Sequence, residues 1–139
     1  IAVGVNRVVP ENTCIAHGEI MAIVMAQEKL KTFSLRLNHF PPFTLATSAQ
    51  PCAMCFGALI WSGIREILIA ARGEDVESIT GFDEGPLHPD WIKEAQKRGI
   101  IIRRDIEREE ACEVLTLYIK KEGRIYNSSG KTKNKINSQ

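Results

Sequence analysis

Residues 43–71 read FTLATSAQPCAMCFGALIWSGIREILIAA, and the order of patterns in this stretch decides the fold. Phe43, Leu45 and Thr47 alternate as a strand that ends at Ser48, Ala49, Gln50 and Pro51. Cys52 to Ser62 holds no charged residue and stops at Gly63, a favourable left-handed cap. A helix with no polar face is a buried one, so it is expected to lie against a sheet. Ile67 to Ala71 is a short continuous apolar run, the signature of a central strand covered on both faces. Strands that alternate with helices in this way place the chain in the α/β class.

Working outward from this unit, Ile20, Ile23, Val24 and Leu30 keep helical spacing between about Ala16 and Lys31. Met21, Ala22 and Met25 widen that apolar stripe until little polar face remains. Ile1 to Val5 and Arg7 to Val9 read as extended, with a loop at Pro10 to Thr13, and Asn38 to Pro42 breaks the chain. Downstream, Gly73 to Pro89 reads as a loop, Asp90 to Arg98 as a helix ended by Gly99, and Ile100 to Arg103 as a short strand. Ala111, Val114, Leu115 and Tyr118 sit at i, i+3, i+4 and i+7 and mark a last amphipathic helix from about Glu107 to Lys121.

A length of 139 residues with 44% hydrophobic and 25% charged side chains is that of one soluble domain. It is expected over residues 1–126, followed by a polar, Lys-rich, disordered tail at 127–139. The net charge of +1 hides an asymmetry: residues 120–139 carry +5 and residues 1–119 carry −4. An acidic body argues against a polyanionic substrate, so nucleic acid is not the expected partner. No stretch approaches a transmembrane helix, and the start lacks the pattern of a signal peptide. Four cysteines in such a chain point to a metal or inert thiols and to the cytoplasm, with no membrane partner. The opening IAVGVNRVV reads as the middle of a fold, so an upstream portion is expected to be missing.

Two short segments carry chemistry: His17-Gly18-Glu19 and Pro51-Cys52-Ala53-Met54-Cys55, each opening a buried helix. Cys52 and Cys55 are three apart, so their sulfurs share one face of a first turn, where the helix dipole favours thiolates. His17 and Glu19 are two apart and cannot both face a lateral site, but both reach an ion lying just off the helix end. One His and two Cys give zinc three protein ligands and leave a fourth position for water, with Glu19 as the acid/base beside it. A closed alternative adds Cys14, three before His17, and makes a structural site in a module without catalysis.

This constellation resembles the zinc-dependent cytidine deaminase superfamily, whose signature is H-x-E with P-C-x-x-C. Asn6-Arg7-Val8-Val9, the run Cys55-Phe56-Gly57-Ala58 with Trp61, and above all Gly81-Phe82-Asp83-Glu84 are similar to the bacterial guanine deaminase branch, including its ammeline (triazine) deaminase members. The resemblance implies a three-layer α/β/α fold with a mixed five-stranded sheet, here without its first helix and strand, and a homodimer. It implies that His17, Cys52 and Cys55 hold zinc, that Glu19 shuttles protons, and that Glu84 is a second carboxylate touching the base. It also assigns Asn6 to the purine ring and makes Trp61 and the His17 ring walls of the base pocket; Phe82 or Tyr126 would close over the base, with peripheral packing the equal alternative for Tyr126 near the tail.

The implied activity is hydrolytic deamination of a free nucleobase, guanine to xanthine and ammonia, with ammeline, tRNA or cytosine as alternative substrates. Two departures stand out. Gly18 replaces the usual Ala of H-A-E, adding backbone freedom beside His17, and Gln50 stands where many relatives have Glu. Cys112 is expected as a small buried apolar residue, and His39 and His88 as surface residues.

Overall fold

The computed structural model describes residues 1–36 and 40–127. Its elements run α1 (Gly18–Leu30), β1 (Thr44–Ala49), α2 (Ala53–Ser62), β2 (Glu66–Ala71), α3 (Gly73–Thr80), α4 (Trp91–Lys97), β3 (Ile101–Arg103) and α5 (Arg108–Lys120). The strand–helix–strand reading of residues 43–71 is what the fold is built on. β1 pairs parallel to β2 with Leu45 opposite Ile67, and β2 pairs parallel to β3 with Ile67 opposite Ile102. β2 is therefore central, as its apolar run implies.

Alternation along β2 buries Ile67, Ile69 and Ala71 almost completely, and Leu59 of α2 lies in the same core. Ile23 and Ala26 from α1 and Trp91 and Ala95 from α4 complete that cluster. Each fully buried aliphatic or aromatic side chain contributes roughly 1.5–3 kcal/mol. The charge-free α2 is thus fixed at its centre by Leu59, and the Phe56 and Trp91 rings meet edge to face at 5.8 Å.

Three expectations change. Among the described residues the sheet has three strands, all parallel, and not the mixed five of the resemblance. Residues 1–6 pair with no strand, and Ile1, Val3 and Val5 are exposed. Their place is set by packing side-on to the start of α1: a Cβ at Gly4 would come within 2.0 Å of the Gly18 carbonyl oxygen. Finally, the supposed loop from Gly73 opens as helix α3. Asp75 caps it by accepting the Arg72 N–H at 2.8 Å, and acids in its first turn suit the dipole. Arg108 of α5 then clamps Asp75 with two bonds of 2.7 and 2.8 Å, which ties α3 to α5.

Both turns that matter for function lie at one edge of this arrangement. β1 leads into α2 at Cys52, and α3 leads into the segment Gly81–Gly85. Ligand sites of parallel sheets sit beyond the carboxyl ends of the strands, and here that edge carries the chemistry.

Candidate metal centre

His17 and Cys52 are the residues that cap α1 and α2, both with extended backbone, φ −69° and ψ 155° for His17 and φ −65° and ψ 173° for Cys52. A side chain at that position points past the helix end and not around its side. This resolves the spacing problem posed by His17 and Glu19, because only Glu19 lies on the regular helix. Cys55, in the first turn of α2, is fully buried beneath them. The ligand atoms of His17, Cys52 and Cys55 all lie within 4.8 Å of one another, and Cys52 Sγ is 3.6 Å from His17 Nδ1.

The donor set fits zinc on chemical grounds. The Cys55 thiol and the His17 ring both stabilise a charge on Cys52 and bring its pKa down to about 4. Cys55 is pushed upward in turn, by its hydrogen bond to Cys52 and by burial. His17 is raised by the same contact with Cys52. A thiolate, a thiol and an imidazole within one pocket are the proton-exchangeable ligands that a soft divalent cation binds. Cys14 is exposed and stands outside the group, so the closed four-ligand shell is not assembled.

Glu19 follows in the first turn of α1, partly buried, with its pKa raised first by burial and then by the Cys52 charge. Glu84 is raised further, to about 7, by burial and then by the charges of Cys52 and Glu19. Its backbone is docked on the metal-bearing helix: the Ala53 N–H donates to the Glu84 carbonyl at 3.0 Å. Both carboxyl groups therefore lie near enough to one three-ligand centre to feel the charge on Cys52.

A roof closes over them. Asn6 Oδ1 accepts the Val8 N–H at 3.1 Å, an Asx turn, while Asn6 Nδ2 donates to the Tyr126 hydroxyl at 2.6 Å. The Tyr126 ring stands edge-on to His17 at 6.3 Å and to Phe82 at 5.0 Å. Tyr126 follows the last helix with no periodic signal to aim it, and its place beside His17 and Phe82 is set by these tertiary contacts.

Trp61 is a correction. It lies at the far end of α2 from Cys52, is 86% exposed, and shares a groove with Arg36, Arg65 and Arg98. Nine helical residues span about 14 Å, so within one chain it forms no wall of this centre. His88 is exposed and accepts the Asp90 N–H at the start of α4, as a surface residue can. Cys112 is half-buried on α5, and His39 and residues 128–139 of the expected tail lie outside the described residues.

A model of the cytidine and deoxycytidylate deaminase zinc-binding region matches residues 1–71, the half of the chain that supplies His17, Glu19, Cys52 and Cys55. The chain belongs to this deaminase family. A solved structure of the guanine deaminase from Nitrosomonas europaea is 48% identical, with a TM-score of 0.80 over 83% of this chain. The guanine deaminase of Bacillus subtilis (strain 168) is 34% identical over 72% of the chain. A tRNA-specific adenosine deaminase of Buchnera aphidicola subsp. Schizaphis graminum is 30% identical over 86% of the chain and is covered to 72% of its own length. The chain spans 63% and 60% of the length of the two guanine deaminases. Family membership makes zinc the cofactor of the His17, Cys52 and Cys55 group.

Proposed function

We propose that this deaminase-family chain hydrolyses the amino group of a free nucleobase, converting guanine and water to xanthine and ammonia. The observation that carries the reading is the His17, Cys52 and Cys55 group, with ligand atoms within 4.8 Å of one another and with Glu19 and Glu84 near enough to interact with the Cys52 charge. The likeness to two guanine deaminases supports guanine over other aminated rings.

Zinc held by His17, Cys52 and Cys55 would lower the pKa of water from 15.7 toward 7 and so supply the nucleophile for C2 of guanine. Glu19 accepts the proton that the attacking water gives up and passes it to the ring nitrogen, then takes the second proton from the hydroxyl of the tetrahedral adduct at C2 and passes it to the departing amine, which leaves as ammonia. Placed acid/base groups supply about 10² to 10⁴ in rate. Glu84 faces the N1–H and exocyclic amine edge, where an ionised carboxyl accepts both donors. Asn6 addresses the purine ring, and Tyr126 and Phe82 exclude water above it.

The acidic body supports a small neutral substrate over a polyanion. Four free cysteines among the described residues suit a reducing cytoplasm, and no helix of those residues is long and apolar enough to cross a membrane. A homodimer is supported by the surface of α2. Trp61 stands out from it, nothing lies within 4 Å of where a Cβ on Gly57 would be, and the helix itself holds no charge between Cys52 and Ser62, the arginines beside Trp61 belonging to neighbouring segments.

The test is ammonia release from guanine, adenine, cytosine, cytidine and ammeline, with zinc measured on the same sample. Guanine as the best substrate with one zinc per chain is expected. Zinc at that level with no release from any ring would overturn the proposal.

A further inference from the structure

We infer that Tyr118 and Gly123 are positioning residues which turn the chain leaving α5 back across the metal centre and thereby set both Tyr126 and Glu84; the inference rests on the nucleobase reading above. α5 ends at Lys120, and Glu122 takes a left-handed φ of 57° that reverses the chain. Gly123 then donates its N–H to the Tyr118 carbonyl at 2.9 Å. The Tyr118 ring lies so close that a Cβ on Gly123 would sit 2.3 Å from its Cζ. Its hydroxyl donates onward to the Arg124 carbonyl at 2.7 Å. One side chain therefore shapes the turn and fastens the residue after it.

The far end of this segment is tied to the site from two sides. Asn6 Nδ2 reaches the Tyr126 hydroxyl at 2.6 Å. The Asp83 N–H donates to the Asn127 carbonyl at 2.9 Å, and Asn127 Nδ2 returns to the Asp83 carbonyl at 2.8 Å. Both backbone groups of the residue before Glu84 are thus held by the strap. Phe82 fills the space between, with its ring 6.4 Å from Tyr118 and 5.0 Å from Tyr126. Tyr118 and Gly123 are not part of the His17, Cys52 and Cys55 group. Tyr118 and Gly123 act only through what the strap carries, and a misplacement of order 1 Å at a site is known to cost up to about a hundredfold.

The experiment compares Gly123→Ala, Tyr118→Phe and the double variant Gly123→Ala with Tyr118→Ala in the full chain. It reads zinc content, amide hydrogen exchange of the 81–85 and 123–127 segments, and kcat and KM for guanine. Gly123→Ala is expected to retain one zinc per chain, to speed exchange in both segments, and to raise KM by about tenfold with kcat nearly unchanged, the mark of lost binding. Tyr118→Phe keeps the ring and loses one hydrogen bond, so its exchange should quicken only in 123–127 and its KM should rise by about threefold or less. In the double variant the clash is gone but so are the Tyr118 ring and its bond to Arg124, so exchange should stay fast in both segments and KM should stay above that of Tyr118→Phe; a wild-type KM there would overturn the role of Tyr118.

Unchanged exchange at 81–85 in Gly123→Ala would overturn the inference, as would loss of zinc together with kcat, which marks a structural role. Exchange requires no substrate. A wild-type chain that deaminates nothing would sink the nucleobase reading while leaving the exchange results to decide the strap.

Discussion

The two ends of α2 differ in almost everything except the sequence pattern that produced them. Both belong to one charge-free helix that is buried at Leu59. At its start, the tip of α1, the Gly81–Gly85 segment and the strap from α5 converge on Cys52 and Cys55, and His17, Glu19, Cys52, Cys55 and Glu84 are each shifted from their ordinary values. At its end, Trp61 is open beside three arginines. Apolar composition therefore tells where a helix lies but not which end is the site. What marks the active end is the meeting of separate chain segments, which desolvates the charges and lets them shift one another.

The sharpest way to break this contrast is to remove a ligand at the first end. Cys55→Ser should lose zinc to well below one equivalent and with it all measurable turnover, read by metal analysis and ammonia release. Full zinc in that variant would mean that the three-residue group is not the metal site. Next in size is the electrostatics of the same end. In the metal-free protein the Glu84 carboxyl holds its proton up to about pH 7, against 4.5 for an ordinary Glu. A raised pKa stabilises the fold fully below the unfolded value, and that contribution is lost as pH rises through the folded value. The thermal midpoint of the metal-free wild type minus that of Glu84→Gln should therefore fall between pH 5 and pH 8. The thiols, Glu19 and His17 titrate in both proteins, and the difference carries Glu84 together with its coupling to them; a flat difference contradicts the placement of Glu84.

At the other end, Trp61→Ala should leave zinc at one per chain while lowering the solution mass of the proposed homodimer toward one chain, as light scattering would read. A variant that stays dimeric removes α2 from the interface. The smallest effect concerns Gly18, where an added Cβ meets nothing closer than 3.6 Å. Gly18→Ala should stabilise by about 0.5–1 kcal/mol through the lost freedom of the unfolded chain, with zinc retained. A lower midpoint in denaturant would show that His17 needs that freedom.

What could be read beforehand follows the same division. The βαβ core was legible because period and burial are local properties of residues 43–71, and the ligands were legible because Cys52, Cys55 and His17 open helices. α3 was hidden by Gly73, which reads as a breaker, while its real start signal is the Asp75 carboxylate on the Arg72 N–H, supported by an arginine 33 residues further on. Residues 1–5 alternate like a strand but lie against α1, and alternation alone cannot say what a segment faces. The likeness that named Trp61 carried a role without a direction along the helix. Tyr126 was placed by tertiary contacts, through Asn6 and Phe82, that no spacing announces.

The central claim is that a carboxyl group beside a three-ligand zinc centre carries the proton. Glu19→Gln keeps size and shape and removes only the proton acceptor, so zinc content and guanine turnover measured together test it most directly. One zinc per chain is expected, with turnover down by about 10² to 10⁴. Wild-type turnover in the zinc-loaded variant would contradict it.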